Sequence, residues 1–428
     1  MKRNQSGMLA APHGEDPNPG VSSTSLRTSG APLRASGASL GASAGSLRAS
    51  GASLGASAGS LRSSDASLDA SDAASSNSAL AIPIWRHPHM GVLDKVINWG
   101  CTLMLKMHEL DETNVDWYRK TLHKVESLGY RKAVSMAHCW DVEMQGLPSG
   151  AALYLHRSKR IAKGDKVPLV IYIHGGGFVM GQARDGVGSQ LLLDLAKMHD
   201  APLAWAAVEY RRAPEHMQPA AADDCLDAVL QLWASGEFSK LSILGFSAGA
   251  NLAIVTAAAA SRRGLQVAAL VAVCPFVDPT ARSESYRTNA HQRVSPLPFL
   301  ATCWRLYVGG AQQRFNALKD WRICPHSARD TWRNDRGNEA KPPDTILWTD
   351  LADPLLDEGR ACVKAFEKAG GRVTHIEAQA SHCVGITLDA SKKKFLLLEW
   401  SKLLTPPPHM PSQNTAQPDL VSPYVPAH

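Results

Sequence analysis

No stretch of this chain stays apolar long enough to cross a bilayer: VINWGCTLML (96–105) and VAALVAVCPFV (267–277) reach roughly half the length a membrane helix requires. The opening MKRNQSGMLAAPHG has no apolar run of the length a secretory signal needs, so a soluble chain is the expectation. CxxC pairs and His/Cys ligand spacings are missing as well. The eight cysteines (Cys101, Cys139, Cys225, Cys274, Cys303, Cys324, Cys362, Cys383) lie far apart in a chain too long to depend on disulfides, and they read as buried thiols in a reducing compartment. Although the formal net charge is +6, the Lys and Arg residues form no long stripe and no aromatic-interleaved patch, which argues against a nucleic-acid partner.

Bulky side chains are scarce over residues 1–82, which consist mostly of Ser, Ala, Gly and Leu and carry the 14-residue unit LRASGASLGASAGS twice in tandem, at 33–46 and 47–60. That composition cannot offset the entropy of ordering the backbone, so a disordered extension is expected. Its bias toward Arg and Ser, with few acids before Asp65, admits organelle targeting as an alternative to the default, a cytoplasmic location. The Pro-rich tail 405–428 also reads as unstructured. Residues 83–404 remain for a single large domain with a substantial core.

Within that domain the periodicity changes. Residues 89–130 carry apolar residues at helical spacing (Val92, Val96, Trp99, Leu103, then Val115, Tyr118, Leu122, Val125), predicting two or three helices. An apolar stripe of this kind more often faces a core than a ligand, although Trp99, Leu103, Trp117 and Trp304 are also candidates for an acyl pocket, and 92–107 for a membrane-surface contact. After about residue 150, apolar runs at 168–173, 203–210, 241–246, 267–273, 344–350 and 372–378 alternate with helical patterns such as 189–200 and 219–236. Strands and helices in alternation predict an α/β fold with a mostly parallel central sheet covered on both faces, and in such sheets chemistry collects at the carboxyl ends of the strands.

Three motifs stand at those ends. GFSAG (245–249) follows LSIL and precedes an Ala-rich helical run, the setting of a sharp strand-to-helix turn in which Gly245 and Gly249 leave room for an exposed Ser247 hydroxyl. On its own the pattern also suits a helix-capping serine. A nucleophilic serine needs a base and a group to orient it, and in the chain order serine, acid, histidine the candidates are Asp353, just after the run ending at 350, and His382, just after the run ending at 378. Asp350 and His375 are the nearest rivals, but both lie inside predicted strands. The third motif, IYIHGGGFVMG (171–181), places three glycines after a buried strand. They free the N–H groups of Gly176 and Gly177, together with that of Ala248, to serve as an oxyanion hole. The loop lacks the GK[ST] ending of a phosphate-binding loop and the GxGxxG spacing of a dinucleotide site. His174 reads as an anchor for the loop, with Gly175 as part of the same motif.

Taken together, HGGGF (174–178), YRRAPEHMQPAAADD (210–224), GFSAGANLA (245–253) and DPLLDEG (353–359), with His382 behind them, resemble the hormone-sensitive-lipase-like family of α/β-hydrolases over about 130–403. The resemblance implies an α/β-hydrolase fold, hydrolysis of carboxylic esters by a Ser247–His382–Asp353 triad, no metal or cofactor, and a helical cap, here residues 84–130 and about 280–312. It assigns Glu215 to the scaffold of the site. An amidase or deacetylase with the same triad, and a ligand-binding protein without turnover, remain as alternatives; oligomeric state is left open. Two departures stand out. The family's usual His-Gly-Phe at the base is His-Cys-Val here (382–384), which changes the shape of the pocket and leaves the triad, and the loop 326–343 is unusually polar and Arg-rich.

Overall fold

Val167–Ile173 is buried at every position, and the reason lies in its two faces. Leu169, Ile171 and Ile173 join one apolar core while Val170 and Tyr172 join another, so the strand runs through the middle of a sheet covered on both sides. The computed structural model describes residues 82–104, 109–135, 139–327, 330–333 and 339–405. All but the innermost positions of the expected extension (1–82) and tail (405–428), and part of the polar loop 326–343, lie outside these residues.

The described residues hold an eight-stranded sheet: β1 (Trp140–Gly146), β2 (Ala152–Ser158), β3 (Val167–Ile173), β4 (Ala204–Glu209), β5 (Phe238–Phe246), β6 (Val267–Val273), β7 (Thr345–Asp350) and β8 (Val373–Ala378). Their order across the sheet is β1-β2-β4-β3-β5-β6-β7-β8, parallel from β4 to β8. The six runs expected from hydrophobicity are the strands β3 to β8. The antiparallel pair β1 and β2 was not expected. β1 is an edge strand, largely exposed and carrying Asp141 and Glu143, so it lacks the apolar signal of the interior strands.

Helices α1 (Val92–Met104) and α2 (Val115–Ser135) precede the sheet. Two of the chain's longer helices, α3 (Gly186–Met198) and α11 (Ala390–Leu404), supply Leu191–Leu193 and Leu396–Leu397 to one core. The other core receives Ala228 and Val229 of α4 (Ala220–Ala234), the Ala-rich α5 (Ala248–Arg262), and Cys362 and Phe366 of α9 (Leu356–Lys368). Among the described residues, three helices lie between β6 and β7: α6 (Glu284–Thr288), α7 (Leu297–Val308) and α8 (Ala311–Ala317). A short α10 (Gly385–Leu388) follows β8.

Contrary to the expectation that apolar residues at helical spacing face a core, α1 is turned over. Val92, Leu93, Val96, Trp99 and Leu103 are exposed, whereas Asp94 and Asn98 are 1% and 0% exposed. Hydrogen bonds decide this. Asn98 donates to Asp94 and Ser381 and accepts from the Arg293 N–H, so the polar side of the helix is fully paired inside the protein. Trp117 is exposed as well, and of the four apolar candidates only Trp304 is buried. It sits in α7, with ring centroids 5.2 Å from Phe178 and 4.5 Å from Phe276, while Phe178 stacks on Tyr307 at 4.0 Å. Phe178 ends the HGGGF loop and Phe276 follows β6, so this cluster joins α7 to two strand ends. Trp304→Ala is expected to lower the unfolding free energy by about 3–5 kcal/mol, read from urea denaturation; a loss under about 1 kcal/mol would show that the cluster does not hold α7 in place.

Candidate active site

The loops after four strands, β3, β5, β7 and β8, meet at one place. Ser247, between β5 and α5, has φ 55° and ψ −119°, a conformation an L-residue adopts only under constraint. The constraint comes from its flanking glycines. A Cβ on Gly245 would strike the carbonyl of Gly249, and a Cβ on Gly249 would strike the carbonyls of Ile173 and His174, so the turn closes only where neither side chain exists. Backbone bonds then hold it: the Ser247 N–H donates to Val273 O at 2.8 Å, and the Ser247 carbonyl accepts from Ala250, Asn251 and Phe276.

The Ser247 hydroxyl donates to His382 Nε2 at 2.9 Å, and His382 Nδ1–H donates to Asp353 Oδ2 at 2.7 Å. Asp353 uses its other oxygen to accept the Leu355 N–H at 2.9 Å. All three side chains are buried, so the line of bonds is largely shielded from water. The structure thus brings Ser247, His382 and Asp353 together across three separate loops. The two rivals take no part in this line of bonds: Asp350 accepts from the Trp348 indole at 2.9 Å and from the Cys274 thiol at 3.4 Å, and His375 bonds Thr349 at 2.9 Å.

Beside the serine lies the glycine loop. Gly176 and Gly177 have φ of 111° and 64°. A Cβ on Gly176 would meet the Met180 carbonyl and one on Gly177 would meet the Cys303 sulfur, so both positions demand glycine for space as well as conformation. Gly175 passes close to Phe246 O and Ser247 Cβ. Among the described residues, the N–H groups of Gly176, Gly177 and Ala248 find no acceptor, which leaves them free for a ligand oxygen. His174 is fully buried, stacks on Tyr210 with ring centroids 4.1 Å apart, and donates Nδ1–H to Gly175 O at 2.7 Å. Burial pushes its pKa down to about 4, so it is a neutral anchor. Glu215 accepts two bonds from Arg119 of α2, at 2.7 and 2.8 Å. The same guanidinium donates to Val179 O and Ala213 O and pulls the Glu215 pKa down to about 2.

Asp94 and Asn289, which the motifs do not reveal, hold the triad from behind. Asp94 accepts from both the N–H and the hydroxyl of Ser381, at 2.7 and 2.6 Å, and so positions the residue before His382. Asn289 donates to Asp353 O at 2.8 Å and pairs with His87 at 2.9 Å. A sequence signal existed for the first: Asp94 and Asn98, four apart, mark the polar stripe of α1.

Cys383 occupies a left-handed backbone position (φ 56°), and its sulfur turns back to lie 3.7 Å from His382 Nε2. Burial by itself would lower the His382 pKa; the Asp353 carboxylate, and after it the Cys383 sulfur, more than offset this and hold it well above the ordinary 6.5. For Cys383, burial would raise the pKa, and the Cys274 thiol and the His382 imidazolium outweigh it, bringing it down to about 6. Sulfur and imidazole therefore compete for a proton.

A family model described as alpha/beta hydrolase fold matches residues 170–384. The chain is 30% identical over 239 residues to a 3-O-acetylpapaveroxine carboxylesterase of Papaver somniferum, covering 51% of this chain and 74% of that one. It is 28% identical to an arylesterase of Saccharolobus solfataricus over 47% of this chain and 63% of that protein. In fold it is similar to a hyperthermophilic esterase from the archaeon Pyrobaculum calidifontis (TM-score 0.56, 24% identity, 71% of this chain and 96% of that one). A thermostable esterase from Pseudomonas putida is similar in fold as well (TM-score 0.57, 19% identity, 72% and 94%).

Titration of the His382 ring by NMR is expected to give an apparent pKa above 6.5. Cys383→Gly removes a group that favours the imidazolium, so it should move that value downward; an unchanged or higher value would contradict the electrostatic role given to the sulfur.

Proposed function

The chain belongs to the α/β-hydrolase family, and from that premise we propose that it is a serine hydrolase cleaving carboxylic esters of small to medium acyl chains through an acyl-enzyme. One observation carries the reading: a hydroxyl, an imidazole and a carboxylate joined by bonds of 2.9 and 2.7 Å beside free backbone N–H groups. In this mechanism Ser247 attacks the ester carbonyl while Nε2 of His382 takes its proton, and Asp353 keeps the imidazole in the required tautomer and offsets its positive charge. The N–H groups of Gly176, Gly177 and Ala248 receive the negative charge that develops on the carbonyl oxygen, each donor worth about 3 kcal/mol in the transition state. The imidazolium returns its proton to the departing alcohol. Water, activated by the same base, then releases the acid.

Residues 84–130 and 280–312 act as the cap that selects the acyl group. In support, these segments touch all three working parts: Asp94 bonds Ser381, Asn289 bonds the Asp353 carbonyl, and Cys303 and Phe299 of α7 abut Gly177. The named carboxylesterase relatives favour an ester over an amide. A cytoplasmic setting goes with this reading, since all eight cysteines are free thiols.

Nitrophenyl esters of increasing chain length test the proposal. Ser247→Ala should lower kcat by at least about 10⁴-fold and Asp353→Asn by about 10⁴-fold, with both proteins folded. Equal rates for the parent and Ser247→Ala on every ester would replace the enzyme reading with ligand binding, and faster cleavage of the matching anilides would make it an amidase. Because only the neutral imidazole accepts the serine proton, kcat/KM should rise with pH through the raised His382 pKa; a profile flat from pH 5 to 9 would exclude His382 as the base.

A further inference from the structure

The spacing of the cysteines along the chain excludes a metal motif, yet the fold assembles a set of metal-type ligands. Cys274 leaves the end of β6, His382 and Cys383 follow β8, and their two sulfurs and the imidazole nitrogen lie within 4.8 Å of one another. Among the described residues this is the one such cluster. In a tetrahedral zinc site, with Zn–S of about 2.3 Å and Zn–N of about 2.0–2.1 Å, a sulfur and a nitrogen ligand stand about 3.6 Å apart, and two sulfurs about 3.8 Å apart. Cys383 Sγ is 3.7 Å from His382 Nε2. The outer support that orients a metal-binding histidine is also present, because Nδ1–H donates to the Asp353 carboxylate at 2.7 Å and leaves the lone pair on Nε2, where it accepts the Ser247 hydroxyl. Cys274 is buried, whereas Cys383 is half-buried. Its left-handed backbone, which a glycine would adopt without strain, is what aims the sulfur at the ring.

We propose that Cys274, Cys383 and His382 Nε2 form an inhibitory site for a thiophilic divalent cation of the zinc type, which silences the enzyme by occupying the lone pair that would otherwise take the Ser247 proton. On binding, Cys274 gives up its proton, and the Cys383–His382 pair gives up the one proton its two members compete for, so that two thiolates and a neutral imidazole hold the cation. The cation displaces the Ser247 hydrogen bond to Nε2 but makes or breaks no covalent bond to Ser247, so removing it restores the site. The inhibition rests on the hydrolase reading; the binding does not.

The test uses the full chain freed of metal by chelation. Zn²⁺ should inhibit ester cleavage reversibly, with activity returning on addition of EDTA, and Co²⁺ should produce a thiolate-to-metal charge-transfer band at a stoichiometry of one. Cys274→Ser and Cys383→Gly should each raise the apparent Zn²⁺ inhibition constant at least about tenfold, measured against that variant's own metal-free rate, and each should weaken the Co²⁺ band. The second variant relieves a strained position, so misfolding of the first would not remove the test. Cys139→Ser, at an exposed thiol, should bind and be inhibited like the parent. Inhibition of equal strength in the parent and the double variant, or a Co²⁺ spectrum without a thiolate band, overturns the proposal. A metal-free protein that cleaves no ester removes the hydrolase reading, while the Co²⁺ band and its loss in the two variants still decide the site.

Discussion

A hydroxyl projects from the end of β5 because backbone meets backbone on both sides of it. Gly245 lies against the carbonyl of Gly249, and Gly249 against the carbonyls of Ile173 and His174, at separations that leave no space for a methyl group. The serine between them is held at φ 55°, a strain of order 1–3 kcal/mol that the surrounding hydrogen bonds to Val273, Phe276 and Asn251 maintain. The same contact brings the glycine loop after β3 against Ser247, since Gly175 packs on its Cβ. Ser247 and the glycine loop beside it are therefore placed by one packing event.

His382 and Asp353 depend on a different part of the chain. Ser381, next to His382, is held by Asp94 of α1, and the backbone of Asp353 is held by Asn289, itself bonded to His87. These bonds explain why α1 shows its apolar face outward. Turning the helix over would bury Trp99 and Leu103 and return Asp94 and Asn98 to water, but it would leave the N–H and hydroxyl of buried Ser381, and the Arg293 N–H, without their partners. α1 is thus tied to the residue before His382 by polar contacts.

Two histidines of the site show how local charge separates structural from chemical roles. His174 and His382 are both buried, and each places Nδ1 2.7 Å from an oxygen. For His174 that oxygen is a neutral carbonyl, and burial drives the ring to its uncharged form. For His382 it is a carboxylate, and the imidazolium is stabilised despite burial. Only the second favours its protonated form.

Strands β3 to β8 and the three catalytic candidates were legible because their signals are local: continuous apolar runs, a serine between glycines at a strand-to-helix junction, and an acid and a histidine just past strand ends. β1 was not, since an exposed edge strand carries no run of buried residues. What the amino-acid order determined by itself was the identity of the reactive groups and the turns that present them, for these follow from neighbours a few residues apart. Tertiary structure alone decided which way α1 faces, which polar groups brace the triad, and that two distant cysteines meet a histidine nitrogen. Those outcomes turn on contacts between positions far apart in the chain, where burial and hydrogen-bond satisfaction are settled by packing and leave no periodic trace in the sequence.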